Sequence, residues 1–142
     1  MILTHRTDYK RIPDLKKELD AIFSEFIRLR DMAIDGKVYC FICNERMTWR
    51  QAECGHYIQR GELATRYDED NCHAICEECN QYDPEHQKHY ALALERKAPG
   101  LPEILETRSK SFLKLMRHEY QEMIDDYTVR VKQLIRLKIW GN

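Results

Sequence analysis

Two pairs of cysteines carry the clearest chemistry in the chain, Cys40 with Cys43 in "CFIC" and Cys76 with Cys79 in "CEEC". Each Cys-x-x-Cys delivers two thiolates from one tight turn, and two such turns complete the tetrahedron of sulfurs that Zn²⁺ takes in a structural role. One zinc ion per chain, held by Cys40, Cys43, Cys76 and Cys79, is therefore expected. A four-thiolate site leaves no position open for substrate, so chemistry, if present, lies elsewhere. Residues 44 to 75, between the pairs, form a longer insert than a common zinc ribbon needs. That insert is the place to look.

Within it, "ECGHYIQRG" at 53 to 61 brings together Glu53, His56, Tyr57 and Arg60. By residue type alone His56 is a zinc ligand, a core histidine or a catalytic base. An imidazole titrating near 6.5 both accepts and releases a proton around neutral pH, which suits general base work. Asn71 follows fifteen residues after His56, and Asn80 directly follows the last paired cysteine. Cys54 and Cys72 match neither pair and read as small core residues.

The elements that must position these residues come next. A chain of 142 residues fits one compact domain, or a small core with helical extensions. "PDLKKELDAIFSEFIRLRDMA" sets Leu15, Leu19, Ile22, Phe23, Phe26, Ile27 and Leu29 at helical spacing behind Pro13, which predicts an N-terminal helix ending near Gly36. Residues 38 to 72 lose that period and read as short strands and loops, with "CGHYI" a strand. "APGLP" at 98 to 102 is a break. Beyond it Phe112, Leu113, Met116, Tyr120, Met123, Ile124, Tyr127, Val131, Leu134 and Ile135 recur at threes and fours, predicting a long helix or two. The stretch "VRVKQLIRLKI" also alternates like a strand. The expected division is an N-terminal helical segment over 1–37, a zinc-braced core over 38–97 and a C-terminal helical extension over 98–142, an α+β protein.

Composition narrows the partners. With 33% charged and 43% hydrophobic residues, and no apolar run long enough for a bilayer, no membrane partner is expected. The start "MILTHRTDYK" lacks the features of a signal peptide, which points to a cytoplasmic location. Six cysteines in a reducing compartment favour metal ligands over disulfides. A net charge of −1 does not advertise nucleic acid, yet from Arg108 onward eight Lys/Arg face four acids. A solvated helix face and a grip on DNA both explain that bias.

The order Cys-x-x-Cys, His56, Asn71, Cys-x-x-Cys, Asn80 resembles the HNH (His-Me finger) nucleases over about residues 38 to 90. More narrowly, "ECGHYIQRGELATRYDEDNCHAICEECN" looks like the phage NinG (Rap) branch, recombination endonucleases acting on branched DNA. The resemblance implies a ββα-metal core, with a hairpin and a helix around one catalytic Mg²⁺ or Mn²⁺. It implies His56 as general base, Asn71 as the amide that holds the hairpin, and Asn80 as a ligand of the catalytic ion. It also implies DNA, possibly branched, as partner, and the cytoplasm of a bacterial host as the location. One residue departs from the pattern: Gly55 stands where most HNH motifs place an Asp or His ligand. Glu53, two residues away on the same strand face, is the expected replacement, with His73 and Asp83 in reserve.

Arg60, Arg66 and Lys88 suit phosphate contacts and Tyr57 a sugar or base, although a structural role stays open to each. His86 and His89, in "DPEHQKHY", read as a helix face beside Lys88. A homodimer through the C-terminal helix is also allowed. Two further readings remain: a non-catalytic zinc-stabilised DNA-binding module and a protein-interaction scaffold.

Overall fold

The structure, a computed structural model, describes residues 9–140; the first eight residues, on which the reading of the chain start rests, lie outside it. Helix α1 (Ile12–Arg30) opens with Pro13 in its first turn and buries Leu15, Leu19, Phe23, Phe26, Ile27 and Leu29. It stops at Arg30, six residues short of Gly36. The Lys138 ammonium closes its C-terminus, donating to the carbonyls of Leu29, Arg30 and Met32 at 2.9, 2.8 and 2.6 Å. Gly36, at φ +86°, then turns the chain into β1.

Strand β1 (Lys37–Tyr39) pairs antiparallel with β2 (Arg46–Thr48), and the link between them carries Cys40 and Cys43. Strand β3 (Glu53–His56) pairs antiparallel with β4 (Cys72–Ile75), with Gly55 opposite His73 and His56 opposite Cys72. The connection between β3 and β4 contains the one-turn helix α2 (Leu63–Arg66). After β4 come a wide π-type turn (Glu78–Tyr82), α3 (His86–Lys97), α4 (Leu101–Ser109) and α5 (Arg117–Ile135), which runs on into a second π-type turn (Arg136–Trp140). The protein is mixed α+β with two small two-stranded sheets.

The β3–β4 hairpin lies between two cores. Successive residues of β4 point to opposite faces, so Cys72 and Ala74 join α1 and α5 while Ile75 joins Tyr57, Tyr90, Leu94, Leu105 and the paired cysteines. All four residues of β4 are buried. On the first side Phe23 and Phe26 meet Tyr127 at 5.2 and 5.1 Å between ring centroids, aromatic pairs each contributing about 1 kcal/mol beyond burial.

The C-terminal region is two helices, and Lys110 to Met116 belong to neither. Phe112 and Leu113, placed on a helix by their periodicity, stand in this link, and Phe112 is 92% exposed. Helix α5 begins where the Glu119 carboxylate accepts the Met116 N–H at 2.8 Å. Its strand-like tail stays helical through Ile135. Tyr120, Ile124, Tyr127 and Val131 of α5 lie in one core with α1. The first and third segments of the predicted division therefore share a core. No helix among the described residues is long and apolar enough to cross a membrane.

Candidate functional site

The two Cys-x-x-Cys turns meet. All four sulfurs of Cys40, Cys43, Cys76 and Cys79 lie within 4.8 Å of one another, and Cys43 Sγ is 3.7 Å from Cys76 Sγ. In each turn the N–H of the second cysteine donates to the sulfur of the first, at 3.4 Å. Burial alone would raise the Cys40 thiol, but N–H groups of Cys43, Cys76 and Ile42 pull it below its ordinary value. Asn44, at φ 67°, turns the chain out of the first knuckle. Four convergent sulfurs supported by backbone N–H groups fit a structural metal such as zinc.

His56 ends β3, half-buried on the face that looks toward α1. Its Nε2 lies 2.9 Å from the Arg66 carbonyl oxygen. A carbonyl only accepts, so Nε2 carries the proton and Nδ1 keeps its lone pair. Burial, reinforced by the charges of Arg60 and Arg66, lowers the His56 pKa despite the opposing pull of that hydrogen bond. The imidazole is neutral at pH 7 with one nitrogen free to accept.

Two other groups fix the segment that supplies this carbonyl. Asp20 of α1 accepts from Arg66 Nε and Nη2 at 2.9 and 2.6 Å, from Tyr67 at 2.7 Å and from Arg60 at 2.8 Å. Burial would raise the Asp20 carboxyl, but these donors hold it below the usual value and keep it charged. Asn71, fully buried, accepts the Ile58 N–H at 2.8 Å and donates to the carbonyls of Ile58 and Thr65, both at 3.1 Å. Its amide bridges the two ends of the connection without reaching the ring.

Glu53, Gly55 and Asn80 meet on the other face of β3. Asn80 Nδ2 donates to Glu53 Oε1 at 2.8 Å, and Gln81 donates to both oxygens of the same carboxylate. A Cβ on Gly55 would fall 2.2 Å from Ile75 Cδ1 and 3.4 Å from Asn80 Oδ1. Ile75 fills the space an acidic side chain at 55 would need, which gives the departure from the motif a packing cause. Carboxylate and amide oxygens are hard donors of the kind Mg²⁺ or Mn²⁺ takes, but here the Asn80 amide turns its Nδ2, not its oxygen, to Glu53. They do not share a cavity with His56. Glu53 lines one of about 430 Å³ with Gln51 and Glu77, whereas His56 lines one of about 310 Å³ with Asp20, Cys54 and Arg60.

The reserve ligands are otherwise engaged. Tyr90 gives its proton to the Gly55 carbonyl at 2.8 Å, so His73 Nδ1 donates to the Tyr90 oxygen at 3.0 Å while Nε2 accepts from Lys97 at 3.1 Å. Stacked on Phe41 and 2% exposed, His73 is a core histidine, its pKa driven to about 2 by burial and by the charges of Lys97 and Arg30. Asp83 is paired with His89 at 2.6 Å. His86 Nδ1 holds the Cys79 carbonyl at 2.8 Å, which leaves it bracing the second knuckle.

Among the residues considered for DNA, Tyr57 takes the structural place left open to it: it is 4% exposed and packs on Tyr90, because the residue after His56 turns into the second core. Arg66 is tied to Asp20 with its side chain 12% exposed, while Arg60 and Lys88 remain exposed, each beside an acid. In the tail, Arg130 is held by Glu69 and Arg108 by Asp68 and Asp70. Asp20 and Tyr90 were not singled out from the sequence. Asp20 had a weak signal, since it lies seven residues before buried Ile27 on the same line of α1.

A family model described as "Bacteriophage Lambda NinG protein" matches residues 3–137. No curated protein and no solved structure matches the chain.

Proposed function

Because that match spans nearly its whole length, the chain belongs to the bacteriophage lambda NinG protein family, and from this premise we propose a metal-dependent DNA endonuclease of HNH type. Its substrate is branched DNA of the kind recombination produces. The observation that carries the reading is the state of His56: neutral, its Nε2–H fixed on the Arg66 carbonyl, and its Nδ1 free to take a proton.

In the proposed reaction Nδ1 of His56 removes a proton from a water molecule. The water oxygen forms a bond to phosphorus while the bond to the 3′-oxygen breaks, leaving a 3′-hydroxyl and a 5′-phosphate. Asp20 and Asn71 hold the 57–71 connection and so position the ring. Asn80 and Glu53 would hold Mg²⁺ or Mn²⁺, which when bound supplies charge neutralisation at the phosphate and the leaving oxygen. The ligands and the base lie on opposite faces of β3, which pairs with β4 alone, and in this reading the scissile phosphate lies along the unpaired edge of β3. Arg60 and Lys88 supply exposed positive charge for the backbone.

One observation favours a non-catalytic zinc-stabilised DNA-binding module instead: Glu53 and His56 line separate cavities. Cleavage of a panel of branched, nicked and plain duplexes, with Mg²⁺, Mn²⁺ or EDTA, separates the readings. The endonuclease cuts branched DNA with 5′-phosphate products and stops in EDTA; binding without cleavage under every condition overturns it. Asn80→Ala is expected to lose activity in a way that excess Mn²⁺ partly restores.

A further inference from the structure

A second group of metal-ligating side chains sits on the α1-facing side of the hairpin. The β3–β4 register puts Cys54 and His56 two residues apart on one strand face and Cys72 directly across from His56. Their ligand atoms all lie within 4.8 Å of one another. A zinc tetrahedron asks for sulfurs about 3.8 Å apart around Zn–S bonds of about 2.3 Å, a separation that falls within that bound. Two sulfurs and one imidazole nitrogen leave a fourth position empty. A cavity of about 310 Å³ is lined by two of the three ligands, Cys54 and His56, with Lys17, Asp20 and Ser24 on its other side, while Cys72 is fully buried.

We propose that Cys54, His56 and Cys72 form an inhibitory site for a soft divalent cation such as Zn²⁺ or Cd²⁺, distinct from the four-cysteine site. Two thiolates neutralise the ion, which a single buried histidine could not do. Mg²⁺ and Mn²⁺, which prefer oxygen, are rejected by the same donors. Occupancy ties up the imidazole and displaces water from its side of the strand. The inhibitory consequence rests on reading His56 as the base; the metal site itself does not.

The test titrates the zinc-loaded full chain with Cd²⁺ in reducing buffer, following thiolate-to-metal charge-transfer absorption and, in parallel, Mg²⁺-dependent cleavage of branched DNA. Wild type is expected to take up one equivalent beyond the structural ion and to lose about 10²-fold in cleavage as it fills, with recovery on adding a weak chelator. The Cys54→Ala/Cys72→Ala double variant should lack the extra equivalent, and its cleavage should not respond to Cd²⁺. No extra equivalent in wild type, or an undiminished one in the double variant, overturns the site. Uptake with unchanged cleavage overturns the inhibition. A wild type that never cleaves defeats the endonuclease reading, while the absorption titration still decides the metal site.

Discussion

The β3–β4 hairpin presents a histidine on each face, and the two are treated in opposite ways. His73 has both ring nitrogens bonded, an aromatic ring stacked on it and almost no exposure, so its chemistry is used up inside the protein. His56, one rung along on the other face, has one nitrogen bonded to a carbonyl, one lone pair left and a cavity beside it. Both are neutral at pH 7, and in both burial is the main cause. The difference is therefore not charge but spare capacity. Residue type and burial do not distinguish a core histidine from a candidate base; the count of unused nitrogens does.

The largest effect is expected from the sulfurs, because the second core packs around them. Structural zinc sites stabilise folding by about 10 kcal/mol or more. Cys76→Ser should therefore unfold or aggregate the protein, whereas Cys54→Ser on the α1 side should leave circular dichroism and the structural zinc close to wild type. A folded, natively purified wild type free of zinc would break this contrast. The two histidines come next. His56→Ala should cut cleavage by about 10²-fold or more with little change in Tm. His73→Ala should do the reverse, costing about 3 kcal/mol in denaturant unfolding through a cavity and the lost hydrogen bond to the buried Tyr90 oxygen. Loss of zinc or of folding in His56→Ala would erase the distinction between the faces.

Gly55 gives a smaller effect. Gly55→Ala pushes a methyl against Ile75 and should cost about 1–3 kcal/mol, and Ile75→Val, by removing Cδ1, should recover part of it. A further contrast is one of pH. The folded pKa of His73 is about 2 against an ordinary 6.5, so the unfolded chain binds the extra proton first. His73 stability is therefore complete above pH 6.5 and lost progressively as pH falls toward 2. Replacing His73 with Gln should make the stability slope shallower below pH 6.5. Cleavage should follow His56, rising with pH along a limb whose midpoint lies below 6.5.

Much of the site was legible because it is local. Two Cys-x-x-Cys turns need only neighbouring residues, and the strand around His56 follows from its own pattern. What stayed hidden depends on partners far along the chain. Asp20 reaches Arg60, Arg66 and Tyr67 from another element, so its spacing on α1 does not name its partners. For Tyr57 a structural role and a contact to sugar or base both stayed open, because its burial depends on a second core assembled from distant residues. The basic tail looked free because its acids, Asp68, Glu69 and Asp70, stand in the insert between the knuckles. Phe112 and Leu113 kept a helical period while the chain left the helix, since periodicity does not mark where hydrogen bonding stops.

The packing of α1 on α5 sets an order of events during synthesis. Phe23 and Tyr127, in edge contact, are roughly a hundred residues apart, so this half of the protein has high contact order. On a ribosome adding about 5–20 residues per second, both knuckles emerge several seconds before α5 is complete. A nascent chain can therefore bind zinc and pair its hairpin while α1 still waits for its partner. Lys17, Asp20 and Phe23 of α1 line the cavity beside His56, so that cavity closes last. The unfinished polypeptide carries every predicted ligand and the histidine, but not the pocket that makes them a site.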